Sequence, residues 1–356
     1  MKKNINFKFW KNKRVFVTGH TGFKGSWLCL FLSYLGAEVT GYSLKPKNKK
    51  NLFTEAKVKN IIKKSIIADV RNGHRLENEL KKSKATIVFH LAAQALVRES
   101  YLKPIETIET NVMGTANILN GINKNIFVKS SVIITSDKVY DIKKNKIFKE
   151  TDLLGGFDPY SASKVCAEHV FNSYIKSFFD KKRCFTVATA RAGNVIGGGD
   201  YSKDRLIPDI VNSVLKKKKI FIRNPKSIRP WQHVLEPISG YLILAEKLYQ
   251  NKLITKNQSW NFGPNLENCK TVGYVAKYFS KQTGLKIKVL KEKNKLFKKE
   301  TNLLRLDNTK SKNILKWQPK WNLHKSIKMI LEWNLHGKKI NKKDICFRQI
   351  KEYISS

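Results

Sequence analysis

Acidic residues are scarce in this chain relative to basic ones. Its 356 residues carry 27 Asp and Glu against 70 Lys and Arg, a formal net charge of +43. Arginine is scarce too, at 11 of the basic residues; the rest is lysine, spread along the whole chain among many Asn and Ile. A dedicated nucleic-acid surface gathers its basic residues on one face and interleaves arginine and aromatics. The scatter here reads as a solvated lysine surface, and no specific nucleic-acid partner is expected. The charge would still attract polyanions nonspecifically and steer an anionic substrate. Cysteine is sparse: Cys29, Cys166, Cys184, Cys269 and Cys346 form no C-x-x-C pair and no metal-ligand spacing. That excludes a disulfide framework and a metal centre as expectations and favours a reduced, intracellular chain. Long apolar runs are missing: Ser26 to Ala37 is the longest, too short to cross a bilayer and already a core helix. The basic N-terminus leads into a strand without an apolar segment or cleavage site, and internal repeats are absent. Together these absences predict a cytoplasmic protein with no membrane contact. The apolar fraction of 41% is ordinary, so a sizeable core is expected.

What is present begins at Arg14–Gly25, RVFVTGHTGFKG. A β-branched and aromatic run ends at Gly19, glycines recur at Gly22 and Gly25, and an apolar segment follows from Trp27 to Leu35. That is strand, tight turn, helix. Such a turn lets backbone approach a pyrophosphate at the N-terminus of the helix, where unpaired N–H groups meet the positive end of the dipole. His20 and Lys24, inside the turn, would add charge there. The acidic residue that usually follows strand two and bonds a ribose is missing from GYSLKPK, Gly41–Lys47. Ser43 could bond the ribose instead, and Lys45 or Lys47 could tolerate a 2′-phosphate, so the choice between NAD and NADP stays open.

Strand-like and helix-like segments alternate from there. Strands are expected at 38–43, 65–68, 86–90, 131–135 and 185–190, with helices at 106–122 and 160–179. This pattern predicts an α/β fold, a doubly wound parallel sheet of Rossmann type with both faces covered. Ligands in such sheets bind beyond the carboxyl ends of the strands, where Gly19–Gly25, Asp69, Leu91–Gln94, Ser136–Lys138 and Arg191–Asn194 fall. Beyond Gly197 the texture changes. GGGD, Gly197–Asp200, reads as a flexible turn. Helices are expected at 206–215, 271–283, 309–315 and 323–335, and another leads from RPWQHV to Tyr249. Strands are expected at 220–223, 259–262 and 287–290, and an exposed loop at 292–301.

Two short motifs carry chemistry. In YSASK, Tyr160 and Lys164 are four apart on a helix, so phenol and ammonium share a face. A nearby cation lowers a tyrosine pKa from its reference near ~10, so the phenol can take a proton from a hydroxyl while a nicotinamide takes the hydride. TSDK, Thr135–Lys138, places a hydroxyl, a carboxylate and an amine at a strand end. Alcohol oxidation needs only a base and a hydroxyl donor, so the added acid and amine point to a further proton transfer.

These motifs resemble those of the extended short-chain dehydrogenase/reductases, over nearly the full length. The resemblance rests on FWKNKRVFVTGHTGFKGSWL, VFHLAAQALVRESY, ETNVMGT, TSDKVY, YSASK, ARAGNVIGGGD, LIPD, RPWQHV and LRLDNTKSKNILKWQPKW. Within that family the chain is most similar to the CDP-glucose 4,6-dehydratases, through TGHTGFKG and the lysine after aspartate in TSDK. Dehydratases of dTDP-glucose usually carry Asp-Glu there, those of GDP-mannose a Ser-Glu pattern, and UDP-sugar epimerases generally lack the pair. The resemblance implies an NAD-dependent hydro-lyase that turns CDP-glucose into CDP-4-dehydro-6-deoxyglucose and water, in deoxyhexose synthesis for surface polysaccharide. It implies catalysis by Ser136, Asp137, Lys138, Tyr160 and Lys164, with Lys138 as C5 base or enolate-stabilising cation. It implies NAD contacts from Gly19, His20, Thr21, Gly22, Phe23, Lys24, Gly25, Asp69, Val70, Leu91, Ala92, Ala93, Gln94, Tyr160 and Lys164. It implies nucleotide-sugar contacts from Asn194, Arg205, Arg229 and Arg305, a homodimer and, beyond it, a dimer of dimers. Another epimerase or dehydratase of the fold is the near alternative. A basic nucleic-acid-binding protein on a degenerate Rossmann fold is the remote one. The expected division is 1–193, joined by 235–264, for the cofactor; 194–234 and 265–337 for the substrate; and 338–356 as a loosely held basic tail.

Overall fold

The structure is a computed structural model and describes residues 5–141, 146–179, 186–202, 205–253, 258–290, 304–335 and 340–356. Seven parallel strands form one sheet: β1 (Arg14–Thr18), β2 (Glu38–Ser43), β3 (Lys64–Ile67), β4 (Ile87–His90), β5 (Ser130–Ile134), β6 (Val187–Ala192) and β7 (Ser259–Phe262). Their spatial order is β7-β6-β5-β4-β1-β2-β3. The direction of winding reverses between β1 and β4, which opens a crevice at their carboxyl ends. This is the doubly wound sheet that the alternating pattern predicts.

Period-two alternation puts the two faces of β1 into different cores. Val15 and Val17 pack with α1 (Phe23–Tyr34) and α6 (Leu235–Tyr249), whereas Phe16 packs with α2 (Gly73–Ser83), α3 (Gly114–Asn123) and α4 (Pro159–Ser177). Helix α4 starts where Asp158 caps it, accepting from Ser161 N at 2.9 Å, with Pro159 in the first turn. An aspartate and proline just before an apolar segment favour a helix start, and this one fixes Tyr160 in the opening turn.

A third core lies in the C-terminal part. It joins α5 (Leu206–Leu215), α7 (Val272–Thr283) and α8 (Leu323–Leu335) through Ile210, Phe279 and Ile327. Two small pairings brace it: Ile220–Ile222 with Ile287–Val289, and Ile228–Pro230 with Cys269–Thr271. Strand β7 interrupts this region and returns to the large sheet beside β6.

Three expectations change. The segment 106–122 is not one regular helix: a π-type turn at Glu109–Met113 separates Pro104–Ile108 from α3, and it turns Asn111 inward to bond Gln94. GGGD is packed rather than flexible. A Cβ on Gly198 would lie 2.1 Å from the Trp333 ring, and the Gly198 carbonyl accepts from Trp27 Nε1 at 3.0 Å. The tail is a helix, α9 (Lys342–Ser355), with Ile345, Cys346, Ile350 and Tyr353 in the main core. Lysines on its outer face hid that apolar stripe. Glu236 fastens it, accepting from Tyr353 Oη at 2.7 Å and Trp321 N at 2.7 Å. The expected loop 292–301 and Cys184 lie outside the described residues.

Candidate active site

The turn after β1 is closed by backbone contact. Gly19 has φ +77°, and a Cβ there would meet Ala92 N at 2.7 Å; one on Gly25 would meet Gly19 O at 2.1 Å. Helix α1 follows with Gly22 at its cap and no side-chain cap. The first N–H groups of the helix are therefore left to an external acceptor. Thr21 Oγ1 donates to Leu44 O at 2.8 Å and lies 2.9 Å from Ser43 Oγ, tying the turn to the end of β2. Ser43, expected at a ribose, thus has a partner within the turn. Lys47 pairs with Glu99 at 2.7 Å, while Lys45 is exposed.

His20 does not add charge to the turn. Its ring packs against Gly41, its Nε2 lies 2.7 Å from Ser65 Oγ, and burial lowers its pKa to about 4. Lys24 points elsewhere than expected. It reaches Tyr241 of α6, Nζ to Oη 3.5 Å, and feels Arg205, Lys164 and Asp137. Burial first, then those two cations, bring its pKa down to about 8. Asp69 at the end of β3 is clasped by Arg71, Nη2 to Oδ2 2.7 Å and N to Oδ1 2.9 Å. Val70 fills the space over Gly114.

Leu91 N and Ala92 N both donate to Thr18 Oγ1, at 3.1 and 3.2 Å, so the loop after β4, which Ala93 continues, is pinned to the end of β1. The Gln94 side chain is used internally: Nε2 donates to Thr107 Oγ1 at 3.0 Å and Oε1 accepts from Leu96 N at 2.5 Å. It braces the loop rather than facing a ribose.

At the carboxyl end of β5, Ser136 opens a short turn. Its Oγ accepts from Lys138 N at 3.2 Å and donates to Asp137 Oδ1 at 3.2 Å. The Ser136 hydroxyl also faces the Tyr160 phenol and pulls its pKa down. Asp137 is buried, and that burial raises its pKa against the opposing pull of Lys138, the Ser136 bond, Lys24 and Arg229. Tyr160 is pushed up to about 12 by burial, with the Ser136 bond and Arg205 pulling the other way. Lys164, expected to lower it, instead donates to Ile134 O at 3.2 Å; burial brings Lys164 down to about 8 against the pull of Glu168.

The sequence candidates for the substrate converge only in part. Arg205 faces Tyr160 and Lys24 and lies 3.4 Å from Asp200. Arg229 is buried and faces Asp137. Arg305 lies near Cys269, its Nε buried without a hydrogen-bond partner. Asn194 lends its carbonyl to Gln232 N at 3.4 Å.

Several residues beside the site were not singled out from sequence. Tyr241 had no signal beyond its place in a helix. Glu168 sits one helical turn past Lys164, a visible spacing. It accepts Arg191 Nε at 2.8 Å, Arg191 Nη2 at 2.9 Å and Thr135 Oγ1 at 2.6 Å. This pair ties α4 to the ends of β5 and β6. Among the described residues no group of His, Cys, Asp and Glu could hold a metal, and no helix is long and apolar enough to cross a membrane.

A parallel sheet with a glycine turn at its switch point and a buried serine–tyrosine–lysine cluster at its carboxyl edge defines a Rossmann-type α/β protein. The profile of GDP-mannose 4,6 dehydratase matches residues 16–330, and the chain belongs to that family. It is 44% identical to the CDP-glucose 4,6-dehydratase of Salmonella typhimurium, covering 99% of each chain. It is 26% identical to the human dTDP-D-glucose 4,6-dehydratase, over 91% of each. The crystal structure of dTDP-glucose 4,6-dehydratase from Bacillus anthracis in complex with NAD has the same fold, with a TM-score of 0.76 at 22% identity, over 92% of this chain and 98% of that one.

Proposed function

We propose that the chain is a nucleotide-sugar 4,6-dehydratase that converts CDP-glucose to CDP-4-dehydro-6-deoxyglucose and water. The observation that carries this is one acid beside one phenol. Asp137, held toward its protonated form by burial, accepts from the Ser136 hydroxyl, which also faces Tyr160. An epimerase has no need of that acid. The full-length similarity to a CDP-glucose enzyme supports the choice of sugar nucleotide.

NAD fits the residues present. The uncapped start of α1 and the glycines at which a Cβ would fill the cradle suit a pyrophosphate. Gly19–Gly25 would hold it, with Asp69 and Val70 toward the adenine and Leu91–Ala93 toward the nicotinamide. The bound dinucleotide supplies reversible hydride transfer, leaving sugar C4 and returning to C6. Tyr160 takes the proton of the 4-hydroxyl as its phenolate, which burial disfavours and which Ser136, Arg205 and the cationic ring of bound NAD would favour. Lys164, at the same face of α4, orients the ribose. The 4-ketone acidifies the proton at C5, and Lys138 acts there, as the base that removes it or as the cation that stabilises the resulting enolate. Asp137 protonates the 6-oxygen, which leaves as water, and the C5 proton is then restored. The proton taken from O4 replaces the one Asp137 gives to the departing water, so the cycle closes without net use of cofactor. Arg205 and Arg229, which face the cluster, would meet the diphosphate, where a guanidinium fork matches phosphate oxygens, with Arg305 and Asn194 as further contacts to the nucleotide.

The division into a cofactor part, 1–193 with 235–264, and a substrate part follows from the same reading. So does a homodimer, for which exposed Leu102, Ile105, Ile108 and Met113 offer an apolar face. Sedimentation of the full chain tests the latter. Incubation with CDP-, dTDP-, UDP- and GDP-linked glucose, followed by mass spectrometry, tests the activity. Loss of one water from CDP-glucose is the expected result, and isomerisation without loss would overturn it.

A further inference from the structure

Asp137 and Gly193 lie just beyond the ends of neighbouring strands. Ile134, the last residue of β5, is in register with Ala190 of β6, and Asp137 and Gly193 each follow three residues later. There the carboxylate meets bare backbone. A Cβ built on Gly193 would lie 2.6 Å from Asp137 Oδ2 and 3.0 Å from Pro230 Cγ. The first distance is far inside contact range. Gly193 lies outside the left-handed region, so its glycine is not needed for the backbone. What an added methyl would displace is the carboxylate. Pro230 cannot yield instead, because its strand is paired with Cys269–Thr271. The other oxygen, Oδ1, is held by Ser136.

We infer that Gly193 is a positioning residue for the acid: with Ser136 and Pro230 it forms a seat that sets where Asp137 delivers its proton. The inference rests on the role proposed above for Asp137. Oxidation at C4 depends on Tyr160, Ser136 and Lys164, whereas the three atoms nearest an added Cβ on Gly193 belong to Asp137 and Pro230, so the seat acts first on the acid. A displacement near 1 Å of a catalytic group can cost about 10²-fold.

The test uses the full-length enzyme with NAD and CDP-glucose. Gly193→Ala is expected to stay folded, to bind CDP-glucose with little change, and to build up the near-ultraviolet absorbance of reduced nicotinamide. Release of water should fall by about 10²-fold. Unchanged water release, or equal loss of both half-reactions in a folded protein, would overturn the inference. Asp137→Glu is the second variant and does not depend on the folding of the first. A seat closed by Gly193 leaves no room for one more methylene, so this variant should lose dehydration as Asp137→Asn does while C4 oxidation persists. Full dehydration by Asp137→Glu would also overturn the seat. Full dehydration by Asp137→Asn would instead remove Asp137 as the acid, which keeps the two failures apart.

Discussion

Arg191 grips Glu168 with two hydrogen bonds, Nε to Oε1 at 2.8 Å and Nη2 to Oε2 at 2.9 Å, where helix α4 crosses the ends of β5 and β6. Both side chains are buried. Burial alone would raise the carboxyl, but Arg191 and two threonine hydroxyls hold it below the usual range. The pair therefore sets the height of Lys164, one turn earlier on the same helix. Glu168→Ala leaves the guanidinium buried without its partner and is expected to cost about 3–5 kcal/mol at neutral pH, read by denaturant unfolding. A depressed carboxyl stabilises the fold above its unfolded pKa and loses that contribution as pH falls through the folded one. The gap between wild type and Glu168→Gln should therefore close in acid, starting near pH ~4.3.

Glu236 titrates in the opposite sense. Burial raises its pKa from 4.5 to about 7, against the N–H groups of Trp321 and Lys320 and the Tyr353 hydroxyl. Its contribution is complete below the unfolded pKa and is lost as pH rises through about 7. The shift corresponds to about 3 kcal/mol. Stability of the wild type should decline from pH 5 to 8, and Glu236→Gln should flatten that slope in thermal melts.

The glycine turn should tolerate substitution unevenly. Gly25→Ala drives a methyl into the Gly19 carbonyl, with 2.1 Å between them, whereas the same change at Gly22 leaves 3.3 Å. Gly25→Ala is expected to cost roughly 1–3 kcal/mol through overpacking and to abolish NAD binding in calorimetry. Gly22→Ala should keep the fold.

Lys138→Met separates oxidation from proton abstraction. The variant should still oxidise C4, while solvent deuterium uptake at C5 falls by about 10²-fold or more. Unchanged exchange would remove Lys138 as the base.

Tyr160→Phe removes the proton acceptor itself. Turnover should fall by about 10²–10⁴-fold with the melting temperature nearly unchanged, because the ring stays in place.

The sheet was legible because its strands are short apolar runs, flanked by turn residues and followed by helices of ordinary length. Ser259–Phe262 was read to the residue, since Trp260 and Phe262 sit between polar neighbours. The tail was not legible, because lysines and other polar residues interrupt the apolar stripe formed by Ile345, Cys346, Ile350 and Tyr353. At the site, TSDK and YSASK announce themselves by spacing within a few residues. Side-chain direction does not. His20 and Lys24 stand four apart in the turn, yet one is buried and neutral under β2 while the other extends to Tyr241, 217 residues away. Tertiary packing alone decides such directions, as it does for the contact of Gly193 with Asp137.

The position of β7 bears on how the chain assembles during synthesis. Strand β6, fully buried in the finished molecule, has β5 on one side and on the other a partner that comes 67 residues after its own end at Ala192. Until Ser259–Phe262 leaves the ribosome, VATARA presents a row of unpaired backbone groups on an apolar strand. A fragment ending near residue 193 would keep that edge open and is a poor candidate for separate expression.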